Sequence, residues 1–229
     1  MKKSAAAIAP RLSSVAQRAA ALGRPPRRRT QAERRASTRA RLLESALATL
    51  VEHGYAGFTT TSVCKRGDLS QGALFLHFPT KSALLAATIE YLFADLVTSY
   101  QTRFARLDGA RDRLTSALEL LWDVFRDPRL LAAYELYTAA RTDEELRTNL
   151  APVLDRHAEN LRAVASALFP EAAADPLRFE KCVSLVLMAM QGYALSSLVE
   201  SSPSGARPAI PFLREAYHLL LATPGRPRR

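Results

Sequence analysis

Leu43, Ala46, Leu47 and Leu50 stand at i, i+3, i+4 and i+7 in an otherwise polar run. Such a single apolar stripe predicts a helix, here from Thr38 to Gly54. Gly54 suits the left-handed position that follows a helix end, and Tyr55 can supply the hydrophobic contact of that cap. After a turn around Gly57, Thr59 or Thr60 offers a hydroxyl to cap a second helix. This helix must be short, because Gly67-Asp68 breaks the pattern soon afterwards. Leu69 plugs the interior, Ser70 caps a third helix running from Gln71 to near Phe78, and Pro79 stops it. Thr80 then caps a long fourth helix, along which Leu85, Ile89, Leu92, Leu96, Tyr100 and Leu107 keep close to the helical period.

Beyond Gly109 every segment reads as helix, with no period-two alternation. The predicted helices are Ala110 to Arg126, Pro128 to Arg141, Asp143 to Phe169 with a kink allowed at Pro152, Pro176 to Glu200, and Ile210 to Ala222. Asp127-Pro128, Pro170, Asp175-Pro176 and the segment Ser201 to Pro208 separate them. The acidic run Asp143 to Glu145 reads as helix N-terminal charge. The fold class is all-α.

Charge changes the picture only at the ends. The chain carries a formal net charge of +10 over its 229 residues. Residues 1–41 hold 12 Lys and Arg against the single acid Glu33, so the remainder is close to neutral. Eight arginines between Arg24 and Arg41 run straight into the first helix. Ile8, Leu12, Val15 and Leu22 fall near helical spacing and allow a weak amphipathic helix before Gly23. A nucleic-acid-facing arm over residues 1–36, an organellar transit peptide and an inert extension all fit this composition. A short basic tail, residues 224–229, closes the chain.

Candidate chemistry is sparse. Cys64 and Cys182 are 118 positions apart, far from the Cys-dense pattern of disulfide scaffolds, and read as buried small hydrophobes in a reducing interior. No His or Cys pair has metal-ligand spacing, so no metal or other cofactor is expected. There is no phosphate-cradling glycine loop, nucleophile elbow or H-E-x-x-H, so no catalytic residue is assigned. No apolar run reaches the length of about 18 residues that a bilayer requires.

Two short helices joined by a tight turn, with a supporting helix before them and a basic arm, make a helix-turn-helix. The run Thr38 to Leu92 resembles the DNA-binding domain of TetR-type transcriptional regulators. The resemblance rests on GYAGFTT at 54–60, LSQGALFLHF at 69–78 and TKSALL at 80–85. It implies a DNA-binding domain over residues 37–97 and a C-terminal helical domain for effector binding and dimerisation over 98–223.

In such regulators the third helix enters the major groove. Gln71, Gly72, Ala73, Phe75 and Leu76 would then face bases or sugars, while Leu74 and Phe78 pack inward. Gln71 can read adenine, and Ala73 or Phe75 can meet a thymine methyl. Thr59, Thr60 and Thr61 suit a phosphate at the start of the second helix, and His77 and Lys81 stand where the family touches the backbone. His77 can equally be a packing histidine between Phe75 and Phe78. Two positions depart from the family. Phe75 stands where tyrosine is usual and has no hydroxyl for phosphate. The turn reads Gly67-Asp68 rather than Ala-Gly, which asks Asp68 for the left-handed conformation.

The same resemblance implies double-stranded operator DNA, an unidentified small-molecule effector and a second copy of the chain as partners, with no membrane. Trp122, Phe125, Tyr134, Tyr137, Met188, Met190 and Tyr193 are candidate pocket or core side chains, with Arg141 a possible polar anchor. Dimerisation would use the last two long helices, where Ala189, Gly192, Ala194 and Ser196 allow close approach. Together these imply a cytoplasmic, nucleoid-associated regulator, repressor by default. The rival reading is a sequence-independent nucleic-acid-binding protein acting through the arginine-rich arm.

Overall fold

The computed structural model describes residues 30–107, 112–199 and 209–222. The expected arm up to residue 29, the Asp108-Gly109 turn, the 201–208 loop and the basic tail lie outside them. Among the described residues the chain forms nine α-helices, one short 3-10 turn at Ala172–Ala174 and no strand.

The first helix, α1 (Gln31–Gly57), begins seven residues before the expected Thr38. The cause is local. Thr30 N–H donates to Glu33 Oε2 at 2.8 Å, and Glu33 N–H donates to Thr30 Oγ1 at 3.1 Å. This reciprocal capping box satisfies two otherwise orphaned donors, so the helix starts on a polar, exposed stretch that has no apolar stripe. Residues 31–36 are therefore helical and do not belong to an extended arm.

The apolar stripe forms as expected: Leu42, Leu43, Ala46, Leu47 and Leu50 are buried. At Gly54 the chain breaks, but not as a left-handed cap. Its φ of 63° is paired with ψ of −178°, a combination open essentially to glycine alone. One further helical turn then carries the chain to Gly57.

Helix α2 (Thr60–Gly67) is capped by Thr59, whose hydroxyl accepts from Ser62 N–H at 3.1 Å. Asp68 closes it in the left-handed region, with φ 48° and ψ 54°. Ser70 caps α3 (Gln71–His77) by accepting from Ala73 N–H, and Thr80 caps α4 (Lys81–Ala105) by accepting from Ala83 N–H, each at 3.1 Å. Phe58, Val63, Leu74 and Phe78 then close a small apolar core against α1 and the start of α4.

The remaining helices are α5 (Arg113–Phe125), α6 (Pro128–Ala139), α7 (Glu144–Leu168), α8 (Pro176–Ser196) and α9 (Ala209–Ala222). Asp112, Asp127, Asp143 and Asp175 each cap the helix that follows. Pro152 is accommodated inside α7. The apolar core continues from α1 through α4 into α5–α9, reaching Leu146, Leu150, Met190 and Ile210. Each fully buried Leu in it contributes roughly 1.5–3 kcal/mol of transfer free energy.

Helix α4 is long and apolar enough to cross a membrane. It is a core helix instead. Leu84, Leu85, Ile89 and Leu92 face the interior, and its charged side pairs with neighbours: Glu90 with Arg156 at 2.8 Å, Asp95 with Arg129 at 2.8 Å, and Arg103 with Asp123 at 2.5 Å.

Candidate nucleic-acid interface and ligand cavity

Helix α3 divides its residues sharply. Leu74 is fully buried and anchors the helix, with Phe78 buried just past its end. Gln71 and Gly72 are exposed, as are Phe75 at 46% and Leu76 at 73%, so this face presents apolar and polar surface to solvent. Ala73 and His77 are half-buried, and the His77 ring lies 6.3 Å from that of Phe78.

The turn of this motif is held from α1. Arg41 donates through Nη2 to Gly67 O at 2.5 Å, bracing the carbonyl that ends α2. Arg66 donates through Nε to Thr49 Oγ1 at 3.2 Å and pairs with Glu52. Within the motif, Gln71 Nε2 donates to Thr61 Oγ1 at 2.8 Å, while Thr60 Oγ1 donates to Gln71 Oε1 at the longer 3.5 Å. Thr60, Thr61 and Gln71 are thus one hydrogen-bonded group between α2 and α3, while the Thr59 hydroxyl is engaged with Ser62. An adenine edge would have to replace the Thr61 contact of Gln71.

Lys81 lies apart from that group. Its ammonium sits over the Tyr55 ring at 4.7 Å and the Phe58 ring at 5.7 Å, a cation–π position at the start of α4.

Tyr55 is also gripped from the other helices. Glu135 Oε2, on α6, accepts from Tyr55 N–H at 2.7 Å. Tyr55 Oη donates to Asp143 Oδ2 at 2.9 Å, while the other carboxylate oxygen of Asp143 caps α7 through Leu146 N–H at 2.9 Å. That backbone hydrogen bond first, and the Tyr55 hydroxyl second, hold the Asp143 carboxyl below its ordinary range. A joint therefore forms between the end of α1, the start of α4, α6 and the start of α7.

Helices α4 and α6 of this joint also line a cavity of about 200 Å³ among α4–α9. Phe125, Tyr134 and Tyr137 line it, with Phe93, Leu118 and Phe169 among the apolar walls. The other five candidates do not, Met190 being fully buried in the core instead. Trp122 is buried on a different side of α5, under the Arg126 guanidinium and close to Ile210. Arg141 is exposed just past the end of α6. Met188 and Tyr193 point outward from α8, 69% and 41% exposed. Apolar periodicity identified their helix faces without telling an inner face from an outer one.

Sequence reasoning found Tyr134 and Tyr137 but missed the other polar members of the cavity, His157, Gln191, Tyr100 and Tyr217. His157 stacks on Phe93 with ring centroids 3.7 Å apart, and burial pushes its pKa down to about 4. Gln191 and Tyr217 complete the lining. His157 faces this cavity among otherwise apolar helix positions, a signal that was present in the chain but not specific. Both cysteines are free and buried, and burial raises both thiols. Among the described residues no group of His, Cys, Asp and Glu is placed to hold a metal ion.

A capped, anchored helix presenting Gln71, Phe75 and Leu76 from a helix-turn-helix defines a DNA-binding protein of the transcriptional-regulator class. Comparison with known proteins makes this specific. Residues 42–88 match the bacterial regulatory proteins of the tetR family. An HTH-type transcriptional regulator of Mycobacterium tuberculosis is 34% identical over 190 residues, covering 81% of this chain and 95% of that protein. CymR of Pseudomonas putida, also an HTH-type transcriptional regulator, is 36% identical over 132 residues, 58% of this chain and 65% of that one. The chain belongs to the TetR family and is a DNA-binding transcriptional regulator.

Solved structures share the fold. The multidrug binding protein EbrR complexed with imidazole superposes with a TM-score of 0.57 at 22% identity, over 83% of this chain and 98% of that one. FadR from Bacillus subtilis in complex with stearoyl-CoA does so with a TM-score of 0.56 at 13% identity, over 80% and 97%.

Proposed function

We propose that this regulator is a ligand-responsive repressor that binds a palindromic operator as a homodimer and releases it when a small molecule enters the cavity. The observation that carries the reading is that two cavity walls also hold the helix-turn-helix. Helix α4 starts at Lys81, beside Tyr55, and continues to Phe93 and Tyr100 in the cavity lining. Helix α6 turns Tyr134 and Tyr137 into the cavity and Glu135 onto Tyr55 N–H. A ligand that favours a different placement of either helix shifts the population of DNA-competent conformers. Solved relatives described as complexed with imidazole and with stearoyl-CoA support a ligand role for the equivalent domain.

Dimerisation is supported by an outward apolar stripe on α8. Leu185, Met188 and Leu195 are exposed at heptad-like spacing, with Gly192 between them, where an added Cβ would meet nothing within 4 Å. Phe212 on α9 is 76% exposed. A palindromic operator would require the two α3 helices of such a dimer to stand about 34–36 Å apart, one helical turn of DNA.

On this reading Gln71, Ala73, Phe75 and Leu76 meet bases, and Thr59, Thr60, Thr61, His77 and Lys81 the backbone. Gly72 allows close approach. The basic residues before Thr30 add phosphate contacts, and the protein works in the cytoplasm on the nucleoid. Light scattering, with selection of bound sites from a random DNA pool, tests the whole reading. A dimer and a two-fold symmetric site are expected. A monomer on non-palindromic DNA refutes it.

A further inference from the structure

The cavity has a chemical signature of its own. No Asp, Glu, Lys or Arg lines it; its polar members are His157, Gln191, Tyr100, Tyr134, Tyr137 and Tyr217. His157, held neutral at pH 7 by burial and stacked on Phe93, offers no cation to an anionic ligand. A charged molecule would therefore lose its hydration without gaining a counter-charge, a cost that buried sites avoid by pairing.

One polar atom is unfinished. Among the described residues Tyr217 Oη alone is a buried side-chain polar atom without a hydrogen-bond partner. The Tyr100 hydroxyl, by contrast, donates to Ala117 O at 3.3 Å. The Tyr217 side chain is half-buried, but its hydroxyl is buried, and a buried hydroxyl left unpaired is unusual and calls for a missing partner. Size adds a bound. A cavity of roughly 150 Å³ holds benzene, so about 200 Å³ accommodates one ring and a few further heavy atoms.

We propose that the effector is an uncharged, mainly apolar molecule the size of one substituted aromatic ring, whose single polar group hydrogen-bonds Tyr217 Oη. The proposal rests on the cavity being the effector site.

Four probes of matched shape test it by calorimetry on the full-length chain: 4-ethylphenol, ethylbenzene, 4-ethylbenzoate and 4-ethylbenzylammonium. Three proteins are compared: wild type, Tyr217→Phe, and Ala165→Phe, which fills the cavity. Circular dichroism and DNA binding show that each is folded. 4-Ethylphenol is expected to bind wild type most tightly of the four and Tyr217→Phe about two- to tenfold more weakly, the worth of one neutral hydrogen bond. Ethylbenzene binds wild type and Tyr217→Phe alike. Tyr217→Phe unfolds at the same or a higher urea concentration, since its hydroxyl has no partner to lose.

Tighter binding of either charged probe, equal phenol affinity in wild type and Tyr217→Phe, or no phenol binding overturns the proposed class. Loss of a charged probe's binding in Ala165→Phe would do so while keeping the cavity as the effector site. Phenol binding that survives Ala165→Phe overturns the cavity reading itself.

Discussion

Replacing Gly54 with alanine should impose two separate costs, and Glu135 provides the means to separate them. The φ of 63° with ψ of −178° is a region essentially closed to other residues, so the backbone alone costs about 1–3 kcal/mol. The new Cβ would also lie 2.7 Å from Glu135 Oε2. That oxygen belongs to a flexible side chain and can swing away, but Tyr55 N–H then loses its acceptor. Because Glu135 is exposed, this loss falls at the low end for a charged hydrogen bond, about 1 kcal/mol. Gly54→Ala is thus expected to cost about 2–4 kcal/mol in wild type, and about 1 kcal/mol less in a Glu135→Ala background, where only the backbone cost remains. Urea unfolding of the four members of the cycle, with m values checked for constancy, measures this. Equal costs in the two backgrounds would refute the joint between α1 and α6. A Gly54→Ala cost under about 0.5 kcal/mol would refute the backbone argument.

Other expectations follow from the same geometry. The His157 pKa of about 4 lies below its unfolded value of 6.5, so the unfolded chain binds the proton first; stability is full above pH 6.5 and falls toward pH 4. Replacing His157 with Phe should flatten that part of the stability curve by about 1–3 kcal/mol after allowance for partial exposure, and an unchanged slope counts against burial as the cause. Leu74→Ala should lose about 2–5 kcal/mol of stability by opening the core of the helix-turn-helix. Phe75→Ala should change stability by less than about 0.5 kcal/mol and still weaken operator binding in a gel-shift titration; unchanged affinity would remove Phe75 from the interface. Met188→Glu should convert dimer to monomer in light scattering, and a persistent dimer would place the interface elsewhere. Deleting residues 1–29, which spares the Thr30 and Glu33 cap, should reduce the salt slope of DNA binding by about 0.9 for every phosphate the arm neutralises. An unchanged slope would retire the arm.

Much of the DNA-binding half was legible because its signals are local. Thr59, Ser70 and Thr80 each precede a helix and bond an N–H three residues on, and Asp68 takes a left-handed turn that its short polar side chain tolerates. The helix that begins at Gln31 was equally local, written in Thr30 and Glu33, but it carries no apolar stripe and periodicity passed over it. At Gly54 the expected positive φ was right and the expected ψ was not, because ψ there follows from the hold of Glu135 on Tyr55 N–H, 80 residues away in sequence.

The cavity was legible only in part. Phe125, Tyr134 and Tyr137 reach it, whereas Trp122, Arg141, Met188, Met190 and Tyr193 do not, although nothing along the chain told the two groups apart. The all-α class, the helix order and the recognition helix with its caps were determined by residues within a few positions of one another, because capping and amphipathic spacing act over one or two turns. Which apolar face turns inward, where Glu135 meets Tyr55, and that Tyr217 reaches a cavity without a partner were decided by the tertiary structure alone. Those facts depend on helices far apart in the chain competing for the same buried volume, and a helix carries no local mark of which neighbour it will meet.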